Sequence, residues 1–361
     1  MKKFYIFSIT LLLINNFVFA QGCIIIRNVS GLGQYNLTSN SYSTSSWQLS
    51  ITNRYFEAYR DYKGTTDLRT PPPNQNIITS YSMNIAVTRL LPNGWSLDLG
   101  FPISANSRNT NLEHGGPNTT RHTTSAFGIG DLQLTALKWL FKPSDKQRGN
   151  IQVGLGIKFP TGDYNKQGYF YRNDTTRILS LLNPSIQLGD GGTGIITELN
   201  TFYFLNQRKT ISLYGNFFYL INPTDINGTQ FTQGKPLTPL NTQLGAYDVS
   251  VPDIFSLRAG ITFNVKNWAF SAGLRDEGAP VRDLFGESNG IRRPGYTLSA
   301  EPGIIYKFIN ATIFCYVPFV VSHEVKQNVQ DIKLANATGV STIGAGGSGD
   351  YQIFLGAQFN L

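Results

Sequence analysis

The sequence predicts an all-β fold: a transmembrane, up-and-down antiparallel β-barrel of about twelve strands, within a range of roughly ten to fourteen. Three observations predict it. The first is composition: 361 residues with 14% charged and 13% aromatic side chains, 36 Gly and 2 Met. Soluble domains carry roughly 25% charged residues, and disordered chains are charged and poor in aromatics, so the chain fits neither class. The 2 Cys exclude a disulfide scaffold or a zinc ribbon. The second observation is a period-two hydropathy pattern. The third is a regular alternation of short and long connections. Beyond the first twenty residues no stretch reaches about 18 consecutive apolar residues, so the sequence offers no spanning helix there. A closed barrel is the other structure that lipid accepts.

Taken from the start, residues 1–20 read as a signal peptide. Lys2 and Lys3 form the charged region, Phe4 to Phe19 is mostly apolar, and Val18-Phe19-Ala20 fits cleavage after Ala20. The apolar run is short for an anchor and is interrupted by Asn15-Asn16. A lipoprotein signal ending at Cys23 is disfavoured, because Ala20 stands where leucine is usual. Residues 21–43 read as a periplasmic segment or internal plug, and residues 44–361 as the barrel. The expected location is the outer membrane of a Gram-negative cell.

Twelve strands follow, near 46–58, 77–90, 95–104, 127–141, 150–160, 194–205, 210–222, 253–265, 268–276, 296–309, 311–322 and 350–361. In the third, Trp95, Leu97, Leu99, Phe101 and Ile103 oppose Ser96, Asp98, Gly100, Pro102 and Ser104. The fifth, eighth, tenth and twelfth alternate in the same way, with one face apolar and the other small or polar. The fourth, sixth and eleventh have an ambiguous phase. A β-sandwich shows the same local alternation, so the connections decide. Leu91 to Gly94, Lys142 to Gly149, Asn206 to Lys209, Lys266-Asn267 and Asn310 are short links; 59–76, 105–126, 161–193, 223–252, 277–295 and 323–349 are long ones. Tight turns at one end and long loops at the other are the outer-membrane pattern.

Aromatic and charged residues carry the same reading. Trp47, Trp95, Trp139 and Trp268 all fall at the short-turn end, where an interfacial aromatic girdle belongs. Arg54, Asp98, Lys158, Arg258, Arg275, Glu301 and Lys307 lie on the small or polar face. A Lys or Arg facing lipid at mid-depth costs roughly 2–4 kcal/mol, so that face is expected to line the lumen.

Enzymatic chemistry finds little support. The three His are His114, His122 and His323, and His122-Thr123-Thr124 has Thr where a His-x-Ser hydrolase needs its nucleophile. Gly344-Ala345-Gly346-Gly347-Ser348-Gly349 matches a dinucleotide pattern but precedes a strand instead of opening a helix, and reads as a mobile loop. Asp190-Gly191-Gly192 lacks the carboxylate run of a calcium loop and reads as a turn. No metal or cofactor is expected. The net charge of +8 comes without a Lys/Arg run, so nucleic acid is not an expected partner. An oxidising compartment would allow a Cys23–Cys315 pair, but the mid-strand placement of Cys315 favours free thiols.

Gly128-Ile129-Gly130-Asp131-Leu132-Gln133-Leu134, Lys138-Trp139, Gly154 to Lys158 and Pro160-Thr161-Gly162-Asp163 form a spaced set. It resembles the core of a family of outer-membrane transporters named for the meta-pathway of phenol degradation, itself similar to fatty-acid and aromatic-hydrocarbon uptake channels. Ser185 to Gly192 resembles members with similar barrels. The resemblance covers about 40 residues well, and it implies a hydrophobic or aromatic solute. It carries over no catalytic or ligand-binding residue. Read physically, Asp131 begins the fourth strand near the outer rim, and Pro160, Thr161, Gly162 and Asp163 end the fifth at the same rim. The two halves should meet as a rim-shaping corner, with Pro160 ending the ladder and Gly162 permitting the turn.

The expected function is passive passage of a small solute along a polar lumen, with the charged residues named above biasing selectivity. A structural or adhesive barrel with a plugged lumen and partner-binding loops is the alternative; a membrane-embedded hydrolase is the third reading. Expected partners are membrane lipid, the solute and the barrel-assembly machinery during biogenesis.

Overall fold

The computed structural model describes residues 35–36, 41–42 and 47–361, apart from 143, 145 and 342. The expected signal peptide, Cys23 and the 21–43 plug segment lie outside the described residues, save one pairing of Tyr35–Asn36 with Ser41–Tyr42.

Twelve strands close into one antiparallel barrel, each paired with its neighbours in sequence. They are β1 (Trp47–Ala58), β2 (Ile77–Leu90), β3 (Trp95–Thr110), β4 (His122–Ile129 and Gln133–Trp139), β5 (Gly149–Lys158) and β6 (Gly194–Phe204). The rest are β7 (Ile211–Ile221), β8 (Ile254–Val265), β9 (Trp268–Ala279), β10 (Gly295–Lys307), β11 (Ala311–Tyr316 and Phe319–Val325) and β12 (Gln352–Asn360). The ring closes where Gln358 of β12 faces Ser50 of β1. Closure gives each of the twelve strands a ladder on both sides over at least part of its length. The tight links and the long loops fall at opposite ends, as the sequence predicts. At the two-residue turn, Val265 pairs directly with Trp268.

Period two sets the faces. Leu155, Ile157, Leu257, Leu274 and Leu355 point outward and are exposed, whereas Gln152, Lys158, Arg258, Arg275 and Gln352 on the same strands point inward and are buried. Such an inverted arrangement is stable only where the surroundings of the wall are apolar.

Two strands differ from expectation. The fourth starts earlier than 127 and is interrupted at Gly130-Asp131-Leu132; its outer piece pairs only with β3, while its inner piece pairs with both β3 and β5. Asp131 therefore sits in a break within the strand, level with the end of β5, and not at the strand's start. The eleventh is interrupted at Val317-Pro318 because proline cannot donate to the ladder; Gln352 N–H donates to Pro318 O and bridges the break at 3.0 Å.

The ambiguous phases also resolve. On β6 the inward residues Ile196, Phe202 and Phe204 are as apolar as the outward ones. Trp139, Phe202 and Phe204 pack together in the lumen at the short-turn end. Trp139 is thus 1% exposed, against 44% for Trp47, 45% for Trp95 and 44% for Trp268. The girdle assignment of Trp139 is corrected: its partner in the outward phase is Lys138, whose ammonium lies 5.0 Å from the Trp95 ring.

The long loops are folded as well. The 159–193 loop carries a hairpin of Gln167–Tyr171 and Arg177–Leu181. Its Leu182, Ile186 and Leu188 dip into the barrel and pack on the inward residues Phe56, Ala58, Ile78 and Ala126. The Gly-rich 344–349 stretch is not a mobile loop: Gly346–Ser348 pairs with Arg60–Tyr62 as an added strand above the rim.

Candidate functional site

Two clusters of buried charge lie inside the barrel, one at mid-depth and one at the long-loop end of β5, beside the break in β4. The mid-lumen layer is built on regular strands. Arg258 and Arg275 are directly opposed on β8 and β9, a like-charge pairing that is unfavourable by itself. Glu301 on β10 resolves it. It accepts from Arg258 Nε at 2.8 Å and from Arg275 Nε at 2.5 Å. Arg275 also donates to Glu277 at 3.2 Å. Glu277 accepts from Gln352, whose Oε1 accepts from Arg54 Nε at 2.8 Å. Arg275 and Glu301 are 0% exposed, so these charges meet each other and not water.

Aromatic rings face the charges. The Arg258 guanidinium lies 4.9 Å from the Tyr316 ring and that of Arg275 lies 4.5 Å from Phe354, both within cation–π range. Tyr214 fits because Gly260 faces it across the ladder; a Cβ there would stand 2.7 Å from the Tyr214 hydroxyl. Around the wall the layer continues as amides. Asn216 donates to Asn200 at 3.0 Å and Asn200 to Gln152 at 3.2 Å.

The rim corner is built on backbone. Asp131 Oδ1 accepts from Gly162 N–H at 2.9 Å, and Thr161 Oγ1 accepts from Leu132 N–H and donates to Gly130 O, both at 2.9 Å. Leu188 N–H donates to Asp163 O at 3.0 Å. Lys158 reaches into this corner, with its Nζ bonded to Asp190 and 3.7 Å from Asp131. The chains touch so closely that a Cβ on Gly162 would stand 2.7 Å from Leu188 O, and one on Gly189 would stand 2.6 Å from Gly162 O. Pro160 leads into the corner from the end of β5.

Above the layer, at the long-loop end, a cavity of about 480 Å³ opens. Phe218, which lines it, is the next inward residue above Asn216 on β7. His323, also in its lining, faces Thr297, two inward positions above Glu301 on β10. The cavity therefore stands directly on the ionic layer. Ile78, Leu188, Leu220 and Ile254 give it apolar walls, and Arg108, Lys158 and Arg293 bring cations to it.

The structure thus gathers Arg54, Arg258, Arg275 and Glu301 into one network and sends Lys158 to the corner. Asp98 faces the lumen on β3 and accepts from Thr88. Lys307 stands apart as the last residue of β10, at the short-turn mouth. Glu277 and Gln352 were missed. Glu277 lies just past the expected end of its strand, and extending the phase of Arg275 by two residues would have found it. Gln352 carries no charge, so nothing in the sequence set it apart. Among the described residues no group of three or more His, Cys, Asp and Glu is placed to hold a metal.

With that geometry in view, the chain shares the fold of an outer-membrane channel of Pseudomonas putida F1. The TM-score is 0.58 at 11% identity, over 92% of this chain and 99% of that one. A FadL homologue of Pseudomonas aeruginosa aligns over 95% of this chain and all of its own, at 12% identity with a TM-score of 0.44, too low to add to the argument. No family model matches, and no curated protein matches.

Proposed function

We propose that the protein is an outer-membrane barrel that passes a small solute inward through a gated lumen. The solute enters the outer vestibule, and the ionic layer below is the gate. The observation that carries this reading is the 480 Å³ cavity standing on a packed layer inside a closed barrel. A cavity of that size is in the range of small-molecule sites. Its apolar walls favour a solute with a hydrophobic or aromatic body, in line with the resemblance of the 128–163 motifs. The remaining girdle tryptophans Trp47, Trp95 and Trp268 would seat the barrel in the membrane interface.

The layer is closed on the side of β8 to β10, while the facing wall is lined by Gly100, Thr135, Gly154 and Gly156. Passage would follow that small-residue wall as the layer loosens. The test is single-channel conductance and liposome uptake by the full-length protein. Small or intermittent conductance is expected from the wild type. A variant carrying Arg275→Ala and Glu301→Ala, which removes one charge of each sign, is expected to conduct steadily. Silence from both, with no solute uptake, would overturn the channel reading in favour of a plugged structural barrel.

A further inference from the structure

We propose that the outer vestibule selects an organic monocarboxylate with an apolar body, and that Arg293 anchors its carboxylate. This rests on the reading of the barrel as a solute passage and names the class of solute.

Arg292 and Arg293 are adjacent and treated differently. Arg292 is buried and forked onto Asp283, with Nη1 2.6 Å from Oδ1 and Nη2 2.5 Å from Oδ2. Arg293 lines the vestibule, and among the described residues it forms no ion pair. Its Nε donates to Ala345 O at 3.1 Å and its Nη1 to Arg292 O at 3.2 Å. A guanidinium has five N–H donors, so three remain, in the planar fork that matches a carboxylate.

The seat of this side chain is specific. The guanidinium lies flat against Gly344, where a Cβ would stand 2.6 Å from Nε. Two backbone carbonyls, one from the Gly-rich segment and one from Arg292, thus hold the arginine without a bound carboxylate, and Asp331 acts on it only through space. Arg108, on β3, is a second guanidinium of the same cavity. Burial holds Arg293 below its ordinary range; the Asp331 carboxylate opposes this and Arg108 adds to it. An anion placed at Arg293 relieves the effects of burial and of Arg108. Glu113 and Glu324 also line the cavity, but each already has a cation, Arg108 and Lys326. Ile78, Leu220, Val249, Ile254 and Val325 supply an apolar wall for the rest of the molecule.

The test uses refolded full-length protein in lipid nanodiscs and a matched pair of probes, benzoate and benzamide, followed by calorimetry and saturation-transfer NMR. Benzoate is expected to bind at least about tenfold more tightly than benzamide, equivalent to about 1.4 kcal/mol. Arg293→Gln is expected to abolish that preference without changing the affinity for benzamide, and Arg293→Lys to keep part of it. Heat-modifiable migration of each variant confirms a folded barrel. Equal binding of the two probes to the wild type, or undiminished benzoate binding to Arg293→Gln, would overturn the carboxylate assignment and leave the passage reading standing. Binding of neither probe would remove the vestibule as a solute site, and both readings with it.

Discussion

In the mid-lumen layer, Arg54, Arg258 and Arg275 reach Gln352, Glu277 and Glu301 through side chains alone, from strands whose backbone is regular. In the rim corner, Asp131 and Asp190 answer Lys158 from a strand break and a loop, and backbone N–H groups make most of the bonds. Both bury charge, and they depend on different things. The layer depends on which side chains oppose each other around the ring. The corner depends on how closely three stretches of main chain approach. The layer can therefore loosen by rotamer changes while the wall stays intact, whereas the corner is fixed once the barrel closes. This is why the gate is assigned to the layer and a structural role to the corner.

The largest effect should come from breaking the layer's charge balance. Glu301→Ala leaves Arg258 and Arg275 facing each other without their shared carboxylate. Removing one partner of a buried pair costs about 3–5 kcal/mol, which denaturant unfolding in lipid would read. Glu301→Gln should cost less, because an amide still accepts. A loss under about 1 kcal/mol, the level of exposed pairs, would mean that water reaches the layer.

Next is the corner. Gly162→Val forces a side chain against the carbonyl of Leu188, and overpacking of this kind costs about 1–3 kcal/mol. Its conductance should be that of the wild type, whereas layer variants should change conductance. A Gly162→Val protein of normal stability but altered conductance would reverse the two assignments.

The smallest effect is a pH dependence of the outer loops. His114 accepts from Tyr171 N–H at 3.1 Å and stacks on Phe170. Burial, with the neighbouring His122 adding to it, pushes His114 down to about 4 from 6.5. The folded loop thus holds neutral imidazole while the opened loop takes up a proton more readily. Its contribution is fully present above about pH 6.5 and is lost progressively as pH falls toward about 4. Hydrogen-exchange protection of the 167–171 amides should fall over that window, and His114→Gln should remove the dependence. Unchanged protection across the window in the wild type would contradict the assignment.

The barrel was legible because lipid imposes a period of two and the chain reverses tightly at one end only. The corner was half legible. Gly130-Asp131 and Pro160-Thr161-Gly162-Asp163 stand out locally, and their meeting follows from strands four and five being hairpin neighbours. The third piece, Leu188 to Asp190, enters by a loop that folds inward, which no local pattern specifies. Trp139 was misread because the girdle argument used height alone. Leu137 and Trp139 make the inward face of the inner β4 as apolar as the outward one, so hydropathy gave no phase.

By itself, the sequence determined the class of fold and which charges turn inward, since each follows from short-range alternation weighed against a uniform apolar solvent. Only the tertiary structure decided that Arg54, Arg258 and Arg275 meet Glu277 and Glu301 across four strands, that loop residues 182–188 fill part of the lumen, and that Arg293 is left to face a cavity. Those outcomes depend on register around a closed ring and on long loops folding back over it. The residues involved are neighbours in space but separated by as many as 298 positions in the chain, as Arg54 and Gln352 are.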